Sequence, residues 1–288
     1  MRHRLAIFAA LCSVAFLVQL CSAQELRVPE STIAGDDAAI SAGGGGKGTL
    51  YVVGPGIAQK SDVNLGEDIH IPGKELHNAG AYLVIVCSSS CESGTLYVTP
   101  AKPYSLAFIV HPSRVPVGRN DAISGVAFPF DQYRNLVRTP ATVNFELNAG
   151  KESLLSRAVH TQQGAAWFRT SSGRTAGTVQ VMASVEDISA KRAVQQVASD
   201  PCNLRITGGR TKKGIEVQTE PVHDCAGNPV PDGTIVTFTA QGPQGKITVD
   251  APIKQGIARA EMEAKGAETI SVASGVVMGN ELRIGAQP

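Results

Sequence analysis

Asp224-Cys-Ala-Gly-Asn-Pro-Val-Pro-Asp-Gly-Thr-Ile-Val-Thr-Phe238 reads as a turn that delivers the chain into a β-strand. Proline fixes φ in Pro229-Val230-Pro231, and Asp232-Gly233 turns the chain readily. In the run that follows, Val236 and Phe238 stand two apart and therefore share one sheet face. Further on, Ala258, Ala260 and Met262 share a face while Arg259, Glu261 and Glu263 share the other, an apolar-in, polar-out strand.

The same landmarks occur upstream. Asp131 and Asn135 match Asp224 and Asn228, and Val143 and Phe145 match Val236 and Phe238, all at an offset of 93. Gln163-Gly164 returns as Gln255-Gly256 after 92 residues, and Val179-Gln180-Val181 as Ile270-Ser271-Val272 after 91. Such a small drift is what loop-length variation produces in a duplicated domain. A period of about 92 suits a seven-strand sandwich of roughly 100 residues. It lies outside the 20–50 residues of solenoid repeats. Residues 102–198 and 199–288 are expected to be two tandem β-sandwiches, the second ending in Glu281-Leu282-Arg283-Ile284.

The motif 224–238, with Gln255-Gly-Ile-Ala258 and Glu268-Thr-Ile-Ser-Val-Ala273, resembles bacterial Ig-like domains of the invasin and intimin type. The resemblance covers 199–288 well and 102–198 more loosely, because Tyr133-Arg134-Asn135-Leu136-Val137-Arg138 lacks the glycine and both prolines of the motif. It implies an all-β chain of immunoglobulin-like sandwiches that serves as an extracellular spacer or adhesin stalk. No catalytic or binding residue is carried over with it.

The chain opens with Arg2 and Arg4, an apolar run from Leu5 to Leu20, and Cys21-Ser22-Ala23. Basic start, short apolar core and small residues describe a secretory signal over 1–23, removed after Ala23. The run is shorter than the roughly 20 residues that span a bilayer, and no second apolar stretch of that length follows. The expected localisation is secreted, periplasmic or cell-surface associated, with no integral membrane segment after signal removal.

Residues 24–47 are expected as a flexible leader ending in Gly43-Gly44-Gly45-Gly46-Lys47-Gly48, although Glu25-Leu26-Arg27-Val28 can add an edge strand. Residues 48–101 are expected as a small β-rich domain, with strand-like runs at 49–53, 68–71, 81–87 and 95–98. A unit of that size needs extra support. Four cysteines lie beyond the signal: Cys87, Cys91, Cys202 and Cys225. An even count in an exported chain suggests two disulfides. Spacing favours Cys87 with Cys91 across a three-residue hairpin loop, and Cys202 with Cys225 around a hairpin whose tip is 208–214. A four-cysteine zinc site is the alternative, and it lacks paired C-x-x-C knuckles.

The formal charge of +1 supplies no drive towards nucleic acid or anionic membranes. No metalloprotease, nucleophile-elbow, Walker or calcium-loop motif occurs. His70, His77, His111, His160 and His223 are dispersed, so no enzyme activity, metal or cofactor is expected. Arg210, Lys212 and Lys213 read as solvated turn charges. Trp167, the only tryptophan, aligns with Arg259 and so points away from the core. The expectation is packing at a domain junction, or burial through a one-residue bulge. Ligand contact is the alternative. The partner is expected to be a protein or glycan at the cell surface, with a carbohydrate-binding accessory role as the second reading. Tyr51, Tyr82 and Tyr97 are further aromatic candidates for that role.

Overall fold

The computed structural model describes residues 25–286, and the expected signal segment 1–23 lies outside the described residues. The chain forms two compact units that divide between Thr99 and Pro100. The first is one sandwich, and the second contains two.

The first sandwich is built from β1 (Leu26–Arg27), β2 (Ser31–Ile33), β3 (Ala38–Ala42), β4 (Gly46–Gly54), β5 (Ile57–Leu65), β6 (Asp68–Ile71), β7 (Gly80–Cys87) and β8 (Cys91–Thr99). One sheet has the order β1-β3-β6 and the other β2-β8-β7-β4-β5. All neighbours are antiparallel except β2, which runs parallel to β8. The expected flexible leader over 24–47 is therefore corrected. Its residues supply β1, β2, β3 and the start of β4, and Ala38, Ile40 and Ala42 are buried in the core. Small inward alanines give a weak strand signal, which is why this stretch passes for a linker. The glycine run is the tight connection from β3 to β4, with Gly44 and Gly46 at positive φ.

The second sandwich repeats that wiring. It comprises β9 (Ser105–His111), β10 (Arg114–Pro116), β11 (Ile123–Phe130), β12 (Thr142–Ala149), β13 (Glu152–His160), β14 (Ala166–Thr170), β15 (Gly177–Val185) and β16 (Ile188–Val197). Its sheets are β9-β11-β14 and β10-β16-β15-β12-β13, with β10 parallel to β16. The two eight-strand sandwiches thus correspond strand for strand, although no sequence repeat announces it. Phe108, Phe145 and Phe168 form the aromatic centre of the second core, with ring centroids 6.0 Å and 4.8 Å from Phe145. Gly125 makes this possible, because a Cβ there would lie 2.4 Å from the Phe168 ring.

The third sandwich comprises β17 (Ile206–Arg210), β18 (Ile215–Thr219), β19 (Ile235–Gly242), β20 (Gly245–Pro252), β21 (Arg259–Met262), β22 (Glu268–Ser274), β23 (Val277–Met278) and β24 (Leu282–Ile284). The sheet β17-β18-β21 faces β20-β19-β22, and β22 pairs with both β23 and β24 in place of one continuous last strand. Val236 and Phe238 point into its core as their spacing requires.

The repeated Gln-Gly pairs have a backbone cause. Gln163-Gly164 and Gln255-Gly256 all have positive φ, between 50° and 83°, and each pair is closed by bonded flanking residues. These are two-residue turns of the type that needs left-handed conformations at both positions. Asp232 adds a long-range tie, accepting the N–H groups of Gln255 (2.9 Å) and Gly256 (3.2 Å). Those two bonds hold its carboxyl below the usual range. Asp-Gly in the motif is therefore more than a local turn.

Candidate functional site

Asp224 and Asn228 lie in the loop between β18 and β19, and this loop joins the second sandwich to the third. The Asp224 carboxylate accepts the backbone N–H groups of Ser199 (3.0 Å), Ala226 (2.9 Å) and Asn228 (2.9 Å), and the Asn228 amide (3.0 Å). Burial pushes its carboxyl up, but these bonds together outweigh burial and hold it below the usual range. Asn228 then reaches across to the second sandwich. Its Oδ1 accepts the Ala176 N–H at 2.8 Å, and its Nδ2 donates to the Arg174 carbonyl at 2.8 Å. One buried amide thus reads a donor and an acceptor on the β14–β15 connection. An Arg119–Asp200 ion pair at 3.6 Å also crosses the junction, but both side chains are exposed and such pairs contribute little.

Asp131 repeats the arrangement one sandwich earlier, accepting the N–H groups of Ala101 (3.0 Å), Tyr133 (2.9 Å) and Asn135 (2.8 Å). The matching turn residues are Arg134 (φ 68°) and Gly227 (φ 86°). A left-handed conformation costs a side-chain-bearing residue about 1–2 kcal/mol, and glycine loses part of that gain through unfolded-chain entropy. Arg134→Gly is expected to stabilise the second sandwich by about 0.5 kcal/mol. A melting temperature raised by a few degrees in calorimetry is the check.

The cysteines are joined as Cys87–Cys91 and Cys202–Cys225. The first closes the β7–β8 hairpin around Ser88-Ser89-Ser90. The second fastens the entry to the third sandwich onto the Asp224 loop, where the Cys202 N–H also donates to the His223 carbonyl at 2.8 Å. Replacing Cys202 and Cys225 by alanine is expected to cost about 3 kcal/mol by freeing the loop between them. Denaturant melts with and without reductant would measure this. An unchanged midpoint would show that the link contributes nothing.

Arg210 departs from its expected solvated role. Its guanidinium donates to the carbonyls of Ala264 (2.6 Å), Gly285 (2.7 Å) and Gly266, tying the last strand to the β21–β22 connection. Among the described residues no group of three His, Cys, Asp or Glu side chains is placed to hold a metal ion. No described helix is long and apolar enough to cross a membrane.

Trp167 is 66% exposed. The expected burial is corrected: β14 pairs with β11 in unbroken register, Trp167 opposite Val126, so no bulge turns the ring inward. Val126 in turn faces Ile109 on β9. Trp167, Val126 and Ile109 form an apolar row across the outer face of the three-stranded sheet, and Ile109 is 50% exposed. The next row is polar, with Arg169, Ser124 and His111 in register. Tyr82 is buried and donates to the Asn78 carbonyl, so it is no ligand platform.

No protein-family profile matches the chain, and no curated protein matches it. Among solved structures, the Escherichia coli adhesin FdeC superposes with a TM-score of 0.59, over 91% of this chain and 96% of its own, at 14% identity. Invasin, a bacterial integrin-binding protein, superposes with a TM-score of 0.50 at 12% identity. The fold is the bacterial immunoglobulin-like fold of the invasin type. The match covers 92% of this chain but only 60% of that invasin chain. Immunoglobulin-like sandwiches of this type carry their polar loops at both ends, and here one such loop forms the junction at Asn228. Asn228 stands 93 residues after Asn135 and is legible as a repeated residue within the chain. Its bonds to Arg174 and Ala176 have no sequence signal, because neither of those residues contributes a side-chain atom.

Proposed function

We propose that the chain is an exported structural and interaction protein, a surface or periplasmic spacer or adhesion module that engages a protein or glycan partner through domain faces. The observation that carries the reading is the row Trp167–Val126–Ile109, an apolar strip held outward on a sheet whose inner face is locked by Phe108 and Phe168. A large aromatic on a rigid strand offers contact area without an ordering penalty, and the adjoining Arg169 and His111 offer directional polar contacts. The junction bonds of Asn228 support the same reading, since a spacer must hold its neighbouring sandwiches in fixed relation. Likeness in fold to an adhesin and an integrin-binding protein is consistent with it. Two disulfides and the secretory signal read at 1–23 support export.

The test uses the mature chain immobilised on beads and exposed to intact cells and to a glycan array. Wild-type protein is expected to retain one defined partner, and Trp167→Ala to weaken retention at least tenfold. Retention unaffected by Trp167→Ala would discard this face as the contact. Capture of glycans alone would establish the carbohydrate-binding reading in place of the protein one. Edman sequencing of the exported protein is expected to begin at Gln24, which checks the signal independently.

A further inference from the structure

The first sandwich carries a second outward apolar surface, unlike its counterparts. On its five-stranded sheet the outward cross-strand pairs of β4 and β7 include Val53–Leu83 and Tyr51–Ile85, with Thr49–Cys87 beyond them. The outward pairs of the corresponding strands in the second sandwich are Asn144–Ser184, Glu146–Met182 and Asn148–Gln180. In the third they are Thr237–Ala273 and Thr239–Ser271. The same sheet in the same fold is thus polar twice and apolar once. The surface continues onto β8 and β2 through Tyr97 and Ile33, respectively 53% and 49% exposed. Charge on this face is confined to Lys47, Lys60 and Asp62 on β4 and β5. The outward positions of β2, β7 and β8 carry none.

We infer that this face is a homotypic docking surface, covered in solution by the same face of a second copy of the chain. Four strands of eight or nine residues and the short β2, at about 4.8 Å spacing and about 3.4 Å per residue, offer about 600 Å². Two such faces bury about 1,200 Å², the lower end of specific interfaces. A partner must itself be apolar and low in charge, as this face is. A twofold axis lying across the strands, between the two apolar rows, sets Val53 and Leu83 of one copy over Tyr51 and Ile85 of the other. The same operation places Lys60 over Ala58, its neighbour on β5, so like charges do not meet. This inference is independent of the Trp167 contact.

Sedimentation velocity of the full mature chain, from 1 to about 200 μM, tests it, a range that reaches the weak association seen among interfaces at the low end of specific sizes. Wild-type protein is expected to dimerise in that range, and Leu83→Glu to raise the dimer dissociation constant at least tenfold. Leu83 lies on the solvent face, so circular dichroism of the variant is expected to match wild type. Met182→Glu, on the outward face of the corresponding strand in the second sandwich, and Trp167→Ala are expected to leave the dimer intact. A monomer throughout the range overturns the inference, as does a dimer that survives Leu83→Glu or is lost with Trp167→Ala. Binding of a foreign partner that only Leu83→Glu abolishes, in a chain that stays monomeric, assigns the face elsewhere and equally overturns it.

Discussion

Asp224→Ala is expected to destabilise the third sandwich by about 4 kcal/mol, because it strips buried donors of a charged acceptor. Asp224 is 4% exposed, and its carboxylate holds three backbone N–H groups and the Asn228 amide. Hydrogen bonds to a charged group contribute about 1.5–3 kcal/mol each, and donors left buried without an acceptor add their desolvation cost. Partial access of water after truncation keeps the sum below the simple total. Amide exchange followed by mass spectrometry is the suitable measurement, since residues 199–288 contain neither tryptophan nor tyrosine. Peptides from that region should lose protection, while those from the first sandwich should not. Asn228→Ala should cost less alone, and the double variant should fall well short of additivity because the two side chains bond each other.

The same carboxylate predicts an acid response. Its folded pKa lies below the ordinary 3.8. A depressed carboxylate contributes stability that is fully present above the unfolded value and lost as pH falls through the folded one. Acid titration of wild-type protein should therefore show a larger loss of stability below pH 3.8 than the Asp224→Ala variant, which retains the depressed Asp232 carboxyl. Identical acid profiles for the two proteins would contradict the proposed bonding.

Phe145→Ala is the second large effect expected, at about 4 kcal/mol. Phe145 is fully buried on β12 and stands between Phe108 and Phe168, which come from the opposite sheet. Its removal opens a cavity at the point where the two sheets meet, and it also removes both aromatic contacts. For a domain near 100 residues each kcal/mol is about 4–8 °C, so calorimetry should show one transition displaced by roughly 20 °C. The matching Phe238 in the third sandwich has no aromatic neighbour, and Phe238→Ala is expected to fall at the lower end of the range for such truncations, about 3 kcal/mol. Equal losses at the two positions would show that the aromatic cluster adds nothing beyond its area.

Local chemistry was legible wherever a residue type acts through its own backbone. Gln-Gly at 163–164 and 255–256, Asp-Gly at 232–233 and the alternation from Ala258 to Met262 each force a turn or a facing. The 93-residue offset could therefore be read as one fold used twice. Cysteine pairing was legible for the same reason, since hairpin spacing places each pair within reach. The first sandwich was hidden because its early strands bury alanines and its turn is a glycine run, and both look like linker in one dimension. Trp167 shows the limit from the other side. Its facing followed from the alignment with Arg259, but whether anything covers that face is a property of neighbouring strands.

By itself the sequence determined an all-β chain with two local disulfides and an Asp/Asn loop whose landmarks recur at an offset of 93 residues, because turn dihedrals and two-residue periodicity are local constraints. Tertiary structure alone decided that residues 26–99 form a complete sandwich of their own, that Asn228 clasps the backbone at Arg174 and Ala176, and that the Val53–Leu83 face is exposed. Those depend on which distant strands become neighbours, and backbone groups from far along the chain supply the partners.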